Sequence, residues 1–229
     1  MTDNVFSKLS IASIVLLVLF LVASIIQLVF AFLEKEKYRR IEKPFCLALL
    51  TAFAAVTLPD HPFIYIATFL GMLGDIFVIL PNKKFFYLGA FTFFLGFISY
   101  AIEVLKYALD MNITISMFIV FAATYVICVV FFGFVVGPKV TSNGGDAIGI
   151  GLYLAPLFTL VMVMVYFVSQ YGRFAFLSLI GILFFLSSDL TITYTKFVKK
   201  FKRYDFYIMG TYLLGQLLIV LGFVLSYLV

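Results

Sequence analysis

Long apolar runs alternate with short polar connectors along nearly the whole chain. Eight runs can be drawn: Val5–Phe32, Pro44–Leu58, Phe63–Leu80, Phe85–Tyr107, Ile113–Gly137, Ala147–Ser169, Phe174–Thr195 and Phe206–Leu228. Most approach or exceed the roughly 20 residues that a helix needs to cross a bilayer. None shows the alternating apolar and polar positions of a membrane barrel strand. The pattern therefore predicts one integral membrane domain over residues 1–229, an all-α bundle of eight transmembrane helices. Pro44–Leu58 is the shortest run. Its 15 residues make about 22 Å of helix, against a hydrocarbon core of about 30 Å. That helix is expected either to start nearer Ile41 or to lie buried within the bundle. The first run follows MTDNVFSKLS without a small-residue cleavage site, and reads as a retained span.

Composition narrows the function classes. Hydrophobic residues make up 65% of the 229 positions and charged residues 12%, and the mean hydropathy is +1.19. A soluble domain carries about twice that share of charge. A soluble enzyme, a nucleic-acid-binding domain and a disordered chain are all excluded. Cys46 and Cys128 both fall inside apolar runs, so neither a disulfide framework nor a metal site is indicated.

The net charge of +5 is loop charge, and its placement predicts topology. The connector EKEKYRRIEK, Lys83 and Lys84, Lys139, and the group Lys196, Lys199, Lys200, Lys202 and Arg203 all follow odd-numbered spans. Only Lys8, Lys106 and Arg173 fall on the other side. The positive-inside rule makes the odd-numbered loops cytoplasmic and both termini non-cytoplasmic. The membrane is expected to be the endoplasmic reticulum in a eukaryote and the inner membrane in a bacterium. A faint repeat accompanies this layout. Gly74-Asp75 followed by Phe86-Tyr87 is echoed by Ser188-Asp189 followed by Phe206-Tyr207, which suggests a 4+4 parallel repeat.

Ionisable groups inside spans are costly and point to function. Asp75, Glu103 and Asp189 are the carboxylates lying well inside apolar runs. Glu103 has Lys106 three residues on, within reach of an ion pair, and its carboxylate can also snorkel to the interface; its reading is structural. Asp75 and Asp189 lie on different helices, roughly 8 and 9 Å from their cytoplasmic ends. That shared depth suggests one shared site; local satisfaction of Asp189 by Ser188 or Thr193 is the plainer alternative. Tyr212 and Gln216 share a face of the last span, and Tyr153 falls at similar depth. Lys43-Pro44 opens the second run, with proline at a first helical turn and Lys43 as an interfacial anchor or a phosphate ligand.

Several other features carry no chemistry in this reading. His61 sits in a short outer loop without a metal-binding partner motif. TSNGGD lacks the lysine and spacing of a phosphate loop and reads as a helix stop with Asp146 as the next N-cap. Gly133-x-x-x-Gly137 is a packing motif, and the sequon Asn112-Ile113-Thr114 lies almost at the membrane. No nucleophile elbow or zinc-protease motif is present.

Gly74-Asp75, GILFFLSSD ending at Asp189, TYLLGQLLI with Tyr212 and Gln216, and Lys43-Pro44 together resemble the YhhN family, whose animal members include the lysoplasmalogenases. The resemblance runs over nearly the whole chain. It implies hydrolysis of the vinyl ether bond of lysoplasmalogens, with a fatty aldehyde and glycerophosphoethanolamine or glycerophosphocholine as products. Asp75 and Asp189 are then the catalytic pair, by analogy with glycosidase carboxylates. Lys43, Tyr100, Tyr153, Tyr212 and Gln216 contact substrate or water. The partners are a lysophospholipid and bilayer lipid, with no nucleic acid, metal or organic cofactor. Members often carry a histidine three residues before the tyrosine that matches Tyr100; here Phe97 stands there. Pro156, after Tyr153, is a second departure. The competing readings are a small-solute or proton-coupled transporter using the two aspartates as a relay, and a non-catalytic lipid-binding protein.

Overall fold

A computed structural model describes residues 9–80, 83–106, 137–142, 147–197 and 199–228, with a few positions between 122 and 134. Among them there are helices and no strand. The helices are α1 (Ile11–Phe32), α2 (Glu36–Thr57), α3 (Pro62–Ile79), α4 (Lys83–Leu105), a short α5 (Gly137–Ser142), α6 (Ala147–Tyr171), α7 (Ala175–Phe197) and α8 (Tyr204–Leu228). Six of them, α1, α3, α4, α6, α7 and α8, contain stretches long and apolar enough to cross a membrane. The chain is an all-α, multi-pass membrane protein. The expected fifth span, Ile113–Gly137, lies for the most part outside the described residues, as do Cys128, the sequon at Asn112, and Asp146.

The second run is the main correction. Its helix begins at Glu36, not near Pro44, and has 22 residues, about 33 Å. The charged stretch KYRRIEK is helical because Lys, Arg and Glu are good helix formers. Pro44 is therefore interior to α2, where it lacks the N–H that would bond the carbonyl four residues back. Lys43 is carried two turns into the helix instead of standing at its head.

The helices close into a ring. α2 packs between α1 and α3, α4 against α3 and α6, and α7 against α6 and α8, while α8 returns to α1 and α2. α8 is the most buried of the six spans and α1 the least. Residues of α1 such as Val15, Val18, Val22, Ile25 and Val29 are exposed, as suits a helix facing lipid. The side chains of α8 reach most of its neighbours. Met209 meets Gln27 of α1, Tyr212 meets Asp75 of α3, Gln216 meets Tyr100 of α4, and Phe223 packs on Phe167 of α6.

Small residues let α7 and α8 approach closely, as they do at membrane helix contacts generally. A Cβ at Gly181 would stand 2.6 Å from the backbone nitrogen of Ile219 and 2.7 Å from the carbonyl oxygen of Gly215. The same hairpin is tied by hydroxyls, with Ser178 donating to the Ile219 carbonyl at 2.8 Å and Ser188 to the Ile208 carbonyl at 3.1 Å.

Candidate functional site

Asp75 lies one turn before the end of α3 and is fully buried. A carboxylate in such a place needs charge and hydrogen-bond partners. Two neighbouring helices supply them. Lys43 Nζ, from α2, lies 2.7 Å from Asp75 Oδ1. The Tyr212 hydroxyl, from α8, donates to Oδ2 at 2.8 Å. Lys43 Nζ also stands 4.6 Å from the centre of the Tyr212 ring, a cation–π distance. The lysine side chain keeps 16% of its surface exposed while the aspartate keeps none. The lysine is thus the less buried member of the pair.

An aromatic wall encloses the three. Gly74 allows the Phe93 ring of α4 to lie against α3, where a Cβ would come within 2.7 Å of that ring. Phe93 stands edge-on to Tyr212 at 6.4 Å and to Phe185 of α7 at 6.3 Å. Phe185 contacts Tyr212 at 5.3 Å and Phe97 at 5.3 Å. Apolar walls limit water around the carboxylate and strengthen its interaction with Lys43.

One turn deeper along α8, the Tyr100 hydroxyl donates to Gln216 Oε1 at 3.1 Å, and both residues are buried. The Gln216 amide lies over Gly71, where an added Cβ would be 3.8 Å from Nε2. Gly71 is one turn before Asp75 on α3, so the Tyr100–Gln216 pair continues the polar surface away from the ion pair.

The structure thus brings together Lys43, Asp75 and Tyr212, and next to them Tyr100 and Gln216. Asp189 is buried on α7 at 6% exposure, one turn past Phe185 on the same face. The hydroxyls suggested as its local partners are directed elsewhere. Ser188 donates to Ile208, and Thr193 donates to the backbone oxygen of Asp189 at 3.0 Å. Tyr153 lies in α6, with its side chain outside the described residues.

Two features were not read from sequence, the aromatic wall and the contact between His61 and Glu103. Phe93 and Phe185 form the wall, and the only signal for Phe93 is the glycine it packs against. His61 and Glu103 form a second, partly buried polar cluster at the other end of the bundle. His61 Nδ1 and Lys106 Nζ each lie 2.7 Å from Glu103 Oε1. The imidazole stacks on Tyr227 with centroids 4.0 Å apart. The Glu103–Lys106 ion pair is the one expected from their spacing, and the Glu103 side chain is fully buried.

A family model, described as the YhhN family, matches residues 38–223. The chain belongs to the YhhN family. The matched stretch holds Lys43, Asp75, Tyr100, Asp189, Tyr212 and Gln216, and leaves out α1. No curated protein and no solved structure matches the chain. Phe97, three residues before Tyr100, is buried at 4% exposure as part of the aromatic wall.

Proposed function

We propose that this YhhN-family protein is a membrane-embedded hydrolase that cleaves the vinyl ether bond of lysoplasmalogen. The observation carrying this reading is the buried Asp75, with a cation on one oxygen and a hydroxyl donor on the other, walled by aromatic rings inside an apolar bundle.

Vinyl ether hydrolysis begins with proton transfer to the alkenyl carbon β to the ether oxygen. The resulting oxocarbenium ion needs a nearby negative charge. Water then adds to the carbon bearing oxygen, and the hemiacetal collapses to a fatty aldehyde and the freed sn-1 hydroxyl of the glycerophospholipid. Asp75, facing Lys43 and Tyr212, suits the role of the carboxylate that stabilises the cation and takes a proton from water. Asp189, in its protonated form, is the proposed proton donor. Tyr212, Gln216 and Tyr100 orient water and the ether, and Tyr153 is proposed to contact the lipid. Lys43 has three N–H donors, and those not turned to Asp75 are available for the substrate phosphate.

The same reading takes Ile113–Gly137 as a further span, which gives eight in a 4+4 arrangement. In support, α3 and α4 approach at Ala67 and Gly96, and α7 and α8 approach at Gly181 and Gly215, places offset by 114 and 119 residues. It also puts the Asp75 end of the bundle, which carries most of the Lys and Arg, on the cytoplasmic side. A terminal epitope tag protected from an external probe in intact cells would overturn that orientation.

The experiment is to incubate purified protein with lysoplasmalogen and, separately, with an acyl lysophospholipid, and to assay free aldehyde. Aldehyde is expected from the first alone. Asp75→Asn and Asp189→Asn are each expected to lower turnover by roughly 10²–10⁴-fold, the range of general acid–base catalysis, while the protein stays folded in the membrane. Near-normal turnover by either variant rejects the paired-acid mechanism.

A further inference from the structure

The family match begins at residue 38, after α1 has ended, yet α1 sends a polar side chain into the same end of the bundle. Gln27 is fully buried. Its Nε2 donates to the thioether sulfur of Met209 at 3.3 Å, a weak acceptor. Its Oε1 is buried and has no hydrogen-bond partner among the described residues. A buried amide oxygen left unmatched is unfavourable, and a leucine would fill the same space without that penalty.

The place of this oxygen is informative. Gln27 lies five residues before the end of α1, about 8 Å along the helix. Asp75 lies four residues before the end of α3, about 6 Å along it. Both helix ends lead into the basic connectors, so the two side chains share one depth at one end of the bundle. Met209 also links them, being one turn from Tyr212, whose hydroxyl holds Asp75.

The unmatched group is neutral and accepts a hydrogen bond. A phosphate would call for a cation there and an ammonium for a carboxylate, whereas a hydroxyl suits an amide oxygen. We propose that Gln27 recognises the free sn-2 hydroxyl of an alkenyl lysophospholipid and so selects lyso over sn-2-acylated substrate. This rests on the hydrolase reading above. The sn-2 hydroxyl is on the carbon next to the one bearing the sn-1 vinyl ether, so a ligand seated with its ether at Asp75 carries this hydroxyl beside the reacting group. The hydroxyl donates to Oε1; a lipid acylated at sn-2 has no proton to give and adds bulk.

The test compares kcat/KM for an alkenyl lysophospholipid and its 2-deoxy analogue, in the wild type, Gln27→Leu and Gln27→Glu. The wild type is expected to favour the hydroxyl-bearing substrate by roughly 10- to 100-fold, the range for an uncharged hydrogen bond whose loss strands its buried partner. Gln27→Leu is expected to lose that preference by slowing on the first substrate alone. Gln27→Glu, which keeps an acceptor, is expected to retain most of it. An unchanged ratio in Gln27→Leu overturns the proposal and leaves the hydrolase reading standing. If Gln27→Leu does not fold, the wild-type ratio decides, because equal rates on the two substrates are equally fatal to the proposal. No aldehyde from the wild type with either substrate removes the hydrolase reading, and the proposal with it.

Discussion

Lys43 and Asp75 are 32 residues apart on neighbouring helices, and their charged atoms meet at 2.7 Å. The contact exists because α2 starts at Glu36 and carries Lys43 two turns into the bundle. Breaking a buried ion pair strands the remaining charge, which is far costlier than the pair is favourable. Lys43→Met is therefore expected to lower stability by about 3–5 kcal/mol. The double variant Lys43→Met/Asp75→Asn is expected to recover much of that loss, because no bare charge is left. Thermal unfolding in detergent checks the order. A single variant as stable as the double one would show that the pair is not coupled as described.

Six of the spans were legible in the sequence because a membrane forces each backbone polar group into a helix, which leaves a long apolar run as its trace. α2 was misjudged at its start because charged residues that favour helix also serve as topology signals, and Pro44 resembled a first-turn proline. Asp75 and Tyr212 were legible as polar groups out of place in apolar runs. Their direct bond was not, because residues 137 apart in sequence share no period. For the same reason His61, in its short loop, gave no sign of Glu103, 42 residues on. Gln27 was hidden among the apolar residues of α1, where a lone amide looks tolerable until the structure shows its oxygen unmatched.

Gly181 faces backbone atoms of α8, not a flexible side chain, so the contact has no cheap way to yield. Gly181→Ala is expected to cost about 1–3 kcal/mol, as overpacking does. That corresponds to a fall of roughly 2–12 °C in the unfolding midpoint for a chain of this size. Gly172 offers a control, since a Cβ there meets nothing within 4 Å, although its φ of +68° adds a backbone cost of its own to any side chain. If Gly181→Ala melts with the wild type, α7 and α8 do not approach as closely as drawn.

The His61–Glu103–Lys106 cluster lies at the opposite end of α3 from Asp75. Fourteen residues of helix separate His61 from Asp75, about 21 Å. Its task is structural: it ties the α2–α3 connector to the end of α4, and the His61 ring to Tyr227 of α8. His61→Ala leaves Glu103 with Lys106 as its cation, so the expected loss is about 1–3 kcal/mol, the cost of an unmade bond to a charged group. His61→Ala with Lys106→Met removes both partners of a fully buried carboxylate and is expected to cost more than the two single changes added together. Glu103→Gln in that double background is expected to restore part of the loss. Activity per folded molecule is expected to stay within about twofold of wild type for His61→Ala, since the change leaves the Asp75 site untouched. A drop well beyond twofold in aldehyde release, with stability unchanged, would instead place this cluster in the reaction.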